Sequence, residues 1–230
     1  MNIRRFIRPA RTIPVTGWAA SHPWELSTRR LLILFLGLTF LGLGGALIVE
    51  SGLGNAPWTV FAQGISIQTG MSIGSAFFLT SCAVLLLWIP LAIKPGFGTL
   101  ANATYFAIVL DIATRVIGSP SNRPTAFLML FAGIILAGAG SAIYMSCGLG
   151  GGPRDGLLMG LIKRTGIRIV YIRSFMDGSA LLLGYIFGGT IGIGTILAVL
   201  LASWSIAIAF NVLGQIPGGA LPKGNLGPAI

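Results

Sequence analysis

The run Gly52-Leu53-Gly54-Asn55-Ala56-Pro57 returns 96 residues later as Gly148-Leu149-Gly150-Gly151-Gly152-Pro153. Each copy follows a long apolar run. Each is followed by Gly64 or Gly160, then by Thr69-Gly70 or Thr165-Gly166. With this shift residues 31–116 lie on 127–212 without a gap, and 24 of the 86 pairs are identical. The matches cluster at Gly37 with Gly133, Gly42 with Gly138, Gly44 with Gly140, and Gly96-x-Gly98-Thr99 with Gly192-x-Gly194-Thr195. Chance matches of Leu and Gly are frequent in apolar sequence, but they do not hold a gapless register around a shared motif. The chain therefore reads as a duplication, with one glycine-broken element in each half.

Composition says where such a chain folds. It is 54% hydrophobic and 9% charged, with a mean hydropathy of +0.89. Soluble domains carry about 25% charged residues, so an integral membrane protein is expected. Strands of a membrane barrel would alternate polar and apolar; these runs are continuous and predict helices, which satisfy their backbone within one segment. Six spans are predicted, at about 29–50, 72–93, 98–118, 125–147, 169–188 and 193–213. Pro57 and Pro153 each suit the first turn of a short helix, the first over about 57–67. The expected fold is all-α: a polytopic helical membrane protein of about six transmembrane helices in two inverted three-helix repeats, each with a short broken or re-entrant helix. The organisation is a cytoplasmic N-terminal tail (1–28), repeat 1 (29–119), repeat 2 (120–213) and a C-terminal tail (214–230). Trp18 and Trp24 are expected at the lipid interface. The charged N-terminal stretch is long for a cleaved signal peptide.

Three spans per repeat is an odd number, so the second copy must enter the membrane upside down. The basic residues agree. With the N-terminus cytoplasmic, 13 of the 15 Lys and Arg fall inside and only Arg115 and Arg123 outside, as the positive-inside rule requires. This placement accounts for most of the net charge of +10, and no nucleic-acid partner is expected. Cys82 and Cys147 lie in apolar runs and His22 is the single histidine. No Cys/His cluster has metal-ligand spacing, and no nucleophile–base pair is visible. No cofactor and no enzymatic activity are expected.

The candidate pathway residues lie at the breaks and in the spans. Gly54, Pro57 and Trp58 mark the first connector; Gly150, Pro153, Arg154 and Asp155 mark the second. A helix N-terminus attracts anions, and the alternative is a structural kink. Asp111 and Asp177 fall inside spans, where ionisable groups are costly. Each has an Arg one turn away, Arg115 and Arg173, so a simple ion pair is the alternative. Glu50 ends the first span, facing an outer vestibule or only solvent. Gly42 with Ala46 and Gly138 with Ala142 read as helix-packing pairs. Asn102, Thr104, Asn211 and Ser81 either line a polar path or bond a neighbour.

The run ending at Trp58, with Gly64, Thr69-Gly70 and Gly96-Phe97-Gly98-Thr99, resembles the YczE-like branch of the YczE/YyaS/YitT group of bacterial membrane proteins. The resemblance covers about residues 30–213. The second copy departs from it, with Arg154 at the place of Trp58 and Asp155 at that of Thr59. The resemblance implies a multi-pass protein of the bacterial plasma membrane, and it carries over no substrate or catalytic residue. The expected function is secondary transport or permeation of a small solute by alternating access. The alternative is a non-transporting accessory or regulatory membrane protein. The expected partners are the lipid bilayer, a small anionic or zwitterionic solute and a second copy of the chain. Reporter fusions after Gly54 and after Gly150 should report opposite sides of the membrane; the same side for both would refute the inverted repeat.

Overall fold

The computed structural model describes residues 13, 14 and 16–216. The arginines at positions 4, 5, 8 and 11, Lys223 and most of the C-terminal tail lie outside the described residues. The described chain forms α1 (Thr28–Glu50), α2 (Pro57–Thr69), α3 (Ile73–Leu86), α4 (Phe97–Val116), α5 (Arg123–Met145), α6 (Pro153–Thr165), α7 (Ile169–Ile186) and α8 (Ile193–Gly214). Five of these are long and apolar enough to cross a bilayer: α1, α4, α5, α7 and α8. The bent pair α2 and α3, at 114°, supplies a sixth if counted as one span. The protein is thus all-helical and multi-pass.

Local chemistry sets the helix ends. Ser27, Ser72 and Asn122 accept hydrogen bonds from Arg30, Ser75 and Thr125 backbone N–H groups, satisfying donors that a helix start leaves free. Pro57 and Pro153 open α2 and α6, and Gly70 and Gly166 close them in the left-handed conformation. The second span is shorter than the sequence predicts. Helix α3 stops at Leu86 and gives way to turns over 87–92. Pro90 explains this, because a proline disfavours helical backbone before it and donates no N–H. The remaining 14 residues rise roughly 21 Å, short of a core about 30 Å thick.

The most extensive helix contact joins α1 to α5, the corresponding helices of the two halves. They run antiparallel and share four glycines. A Cβ on Gly44 would press into the backbone of Gly133 and Ala137; one on Gly140 would press into Gly37 and Leu41. The glycines are exchanged in the contact: Gly37 faces Gly140, while their counterparts Gly133 and Gly44 face each other. Gly42 and Gly138 serve a different pairing, against Val109 on α4 and Ser205 on α8. The short helices also cross between halves, α2 against α7 and α6 against α3. On α7 and α8 many large apolar side chains stay exposed, among them Phe175, Leu182, Ile196 and Trp204. That is the surface a lipid-facing helix presents.

Gly44→Ala or Gly140→Ala should cost roughly 1–3 kcal/mol through backbone overlap, read as a lowered Tm in detergent. Gly118→Ala, where nothing lies within 4 Å of an added Cβ, should leave the Tm unchanged.

Candidate functional site

The two glycine motifs adopt matching backbones. Gly52, Gly54 and Gly70 have φ of 66°, 110° and 73°; Gly148, Gly150 and Gly166 have 68°, 110° and 69°. Residues other than glycine rarely adopt these angles. Each motif is held by the other half. Gly194 N–H donates to Leu53 O at 2.8 Å, and Gly98 N–H donates to Leu149 O at 2.8 Å. Thr99 Oγ1 donates to Gly151 O at 2.8 Å. The Gly-x-Gly-Thr runs that the duplication revealed are therefore the seats of the opposite connectors. Gly54 and Gly150 both sit in such seats, against Gly192 with Thr195 and Gly96 with Thr99.

The short helices meet where the halves meet. Trp58 and Arg154 occupy corresponding positions, and the Arg154 guanidinium lies 5.8 Å from the Trp58 ring centroid, within cation–π range. The Trp58 indole N–H donates to Asp177 Oδ1 at 2.9 Å, and Arg173 Nε lies 3.6 Å from Asp177 Oδ2. Asp177 thus does more than pair with the arginine one turn away: it anchors the aromatic ring on which Arg154 rests. Arg154 is exposed, and no carboxylate among the described residues lies within 4.0 Å of it. Beside Trp58 an open groove of about 390 Å³ runs between α2, the turns after α3, α6 and α7, lined mainly by apolar side chains such as Phe61, Leu87, Leu157, Leu161 and Met176. Beside it the Trp88 ring fills the space that Gly156 leaves, and its N–H donates to Pro153 O at 3.0 Å.

Next to Arg154, Asp155 turns the other way. Tyr144 OH donates to Asp155 Oδ2 at 3.4 Å. Asn102 approaches from α4, where residues Asn102–Phe106 form a π-helical turn. The other predicted residues lie apart. Asp111 pairs with Arg115 at 2.6 Å and accepts from Gly74 N–H at 3.4 Å. It ties the start of α3 to α4 and does not join the Trp58–Arg154 group. Glu50 accepts from Ser119 Oγ at 3.4 Å, near the linker between the halves. Pro57 and Pro153 are buried helix starters. Asn55, which sequence reasoning passed over, is 2% exposed; its Nδ2 donates to Gln63 Oε1 at 2.9 Å while its Oδ1 finds no partner.

The N-terminal segment corrects an expectation. Trp18 is not an interfacial side chain. It is buried against Leu34, Leu38 and Tyr144, and its N–H donates to Ser146 Oγ at 3.1 Å. Thr16 Oγ1 donates to Ser146 O at 3.0 Å, Ala20 N–H to Cys147 O at 2.8 Å, and Phe97 N–H to Pro23 O at 3.2 Å. Residues 16–25 form a strap across the second connector and its seat. Glu25 closes the strap, accepting from Ser21 and pairing with Arg30 at 2.6 Å. Those hydrogen bonds from Ser21, with Arg30 beside it, hold the Glu25 carboxyl down at about 2. No periodicity in the polar, proline-broken sequence signals this docking. Trp24 is about half exposed.

Long apolar helices, two broken connectors and lipid-facing flanks define a multi-pass helical membrane protein. The chain belongs to the family of unknown function DUF6198, whose profile matches residues 28–211. An uncharacterized protein of Haemophilus influenzae is 41% identical over 210 residues, covering 91% of this chain and 96% of that protein. The uncharacterized membrane protein YczE of Bacillus subtilis is 30% identical over 73% of this chain and 79% of its own length. The uncharacterized protein YyaS of the same organism is 34% identical over 77% and 90%. The resemblance to YczE-like proteins read from the motifs therefore holds. No solved structure matches the chain.

The strap makes a measurable claim. Cys147 lies beneath it, fully buried, and burial pushes its thiol up to about 12. In a Cys82→Ser background at pH 7, Trp18→Ala or Glu25→Gln should speed maleimide labelling of Cys147 by roughly tenfold or more. Because the Glu25 value is depressed on folding, its contribution is complete above the ordinary carboxylate range near 4.5 and is lost as pH falls towards 2. Trp18 fluorescence should report strap release over that window.

Proposed function

We propose that the protein is a small secondary transporter or permease for an anionic or zwitterionic solute, built as two inverted three-span repeats. The observation that carries this reading is the meeting of Trp58 and Arg154, corresponding residues of the two broken connectors, at the interface between halves. Discontinuous helices at a repeat interface are where secondary transporters place their sites. The antiparallel packing of α1 on α5, with exchanged glycine contacts, supports inversion, since a two-fold axis in the membrane plane generates that pattern. An exposed guanidinium without a carboxylate partner, at a helix N-terminus, suits an anionic group. Asp177 positions the ring beneath it. The basic residues support cytoplasmic termini, and the bacterial relatives support a bacterial plasma membrane. The reading assigns no chemical step to any residue and invokes no cofactor.

A second reading is an accessory or regulatory membrane protein that moves nothing. The apolar lining of the groove beside Trp58 favours it, because an alternating-access path for a polar solute needs water. Proteoliposomes decide between the two. Uptake from a panel of anionic and zwitterionic solutes should appear with the wild type, fall at least about tenfold in Arg154→Gln, as expected for loss of a charge-assisted contact, and fall less in Asp177→Asn. Folded protein with no flux across the panel leaves the accessory reading.

A further inference from the structure

The two halves share one backbone frame, but they fill one place in it differently. Around the first connector Ile48, Ala56 and Ala198 meet in a single apolar cluster, with Thr59 in the first turn of α2. Under the same 96-residue shift, their counterparts are Tyr144, Gly152, Asn102 and Asp155. Every counterpart that can carry a side-chain oxygen carries one, and the remaining position has lost its Cβ. A Cβ built on Gly152 would lie 3.2 Å from Asn102 Oδ1, 3.3 Å from Asp155 Oδ2 and 3.3 Å from Tyr144 OH. Three oxygens from α4, α5 and α6 thus converge on one small space, and only the missing side chain of Gly152 leaves it open.

Two further features mark that space as more than a packing fault. Asn102 is 8% exposed, yet its side chain makes no hydrogen bond within the described residues. Unlike the Asn55 carbonyl, its amide is not sealed from solvent, and its carbonyl oxygen borders the same space. Asn102 also begins the π-helical turn of α4. Such turns are rare and frequent at functional sites. Tyr144 OH reaches Asp155 only at 3.4 Å, so that contact leaves the carboxylate lightly held. The nearby Arg154 guanidinium lies instead over Trp58, with no carboxylate within 4.0 Å.

We propose that Asp155, Asn102 and Tyr144 form a binding site for a monovalent cation, Na⁺, at the second connector alone. All the donors are oxygens, as a hard cation requires. One carboxylate balances one positive charge, whereas a Ca²⁺ site takes six to eight oxygens and usually several carboxylates. In transporters with broken helices the coupling ion sits at unwound backbone and half-helix C-termini; here Asp155 lies in the first turn of α6, beside the unwound Gly150–Gly152 run. The site deepens the transport reading and rests on it for the purpose of the ion, though not for its binding.

The test uses purified full-length protein in nanodiscs, with unfolding followed by tryptophan fluorescence at constant pH and ionic strength. Replacing choline chloride by NaCl should raise the Tm saturably, by roughly 4 °C or more at saturation. Asp155→Asn should abolish the rise. Gly152→Ala should abolish it too; this variant restores the methyl group that Ala56 carries in the first half, so the frame tolerates it. Thr59→Ala, at the corresponding first-half position, should leave the rise intact. No rise at all, or an unchanged rise in Gly152→Ala, would overturn the site. A sodium response without solute flux would keep the site and remove the transport reading; flux without a sodium response would do the reverse.

Discussion

A backbone N–H or C=O left unpaired in hydrocarbon costs several kcal/mol, and this protein breaks its helices twice inside a very apolar chain. How those breaks are satisfied decides the rest of the structure. Each is satisfied by the other half: the Leu53 carbonyl by Gly194, the Leu149 carbonyl by Gly98. Neither half can fold its connector alone without leaving carbonyls exposed to lipid. The same demand explains the glycines at Gly54, Gly96, Gly150 and Gly192, where any side chain would hold the two backbones apart.

This mutual clasp also organises the chemistry. Because the short helices α2 and α6 are seated by opposite halves, their first turns face each other, bringing Trp58 and Arg154 together. Asp177 and Trp88 then act as brackets, one bonding the Trp58 indole and the other the Pro153 carbonyl. The halves are alike in backbone and unlike in side chains. The first connector has an amide, Asn55, with a carbonyl lacking a partner; the second has the oxygens around Gly152 and the strap laid across it.

Much of the fold was legible in the sequence. Continuous apolar runs can only be helices in lipid, and proline and glycine punctuate them for local steric reasons. The connector helices and five of the spans follow from that logic. The second span did not: its apolar run continues past Leu86, but Pro90 ends the helix early. The candidate residues divided in the same way. Asp111 looked like Asp177 in sequence, each with an arginine one turn away. Only the fold set Asp177 against a tryptophan 119 residues distant and left Asp111 tying α3 to α4. The strap carried no pattern, because its docking depends on single contacts such as Trp18 to Ser146 and not on a repeating face.

What the sequence determined by itself is therefore the membrane, the helices and the places where the helices break, since each follows from local burial cost or backbone geometry. What the tertiary structure decided is which half holds which connector, that Trp58 meets Arg154, and that Asn102, Tyr144 and Asp155 surround the missing side chain of Gly152. These are contacts between segments far apart in the chain. They depend on the antiparallel approach of α1 and α5, which glycine permits but does not by itself dictate.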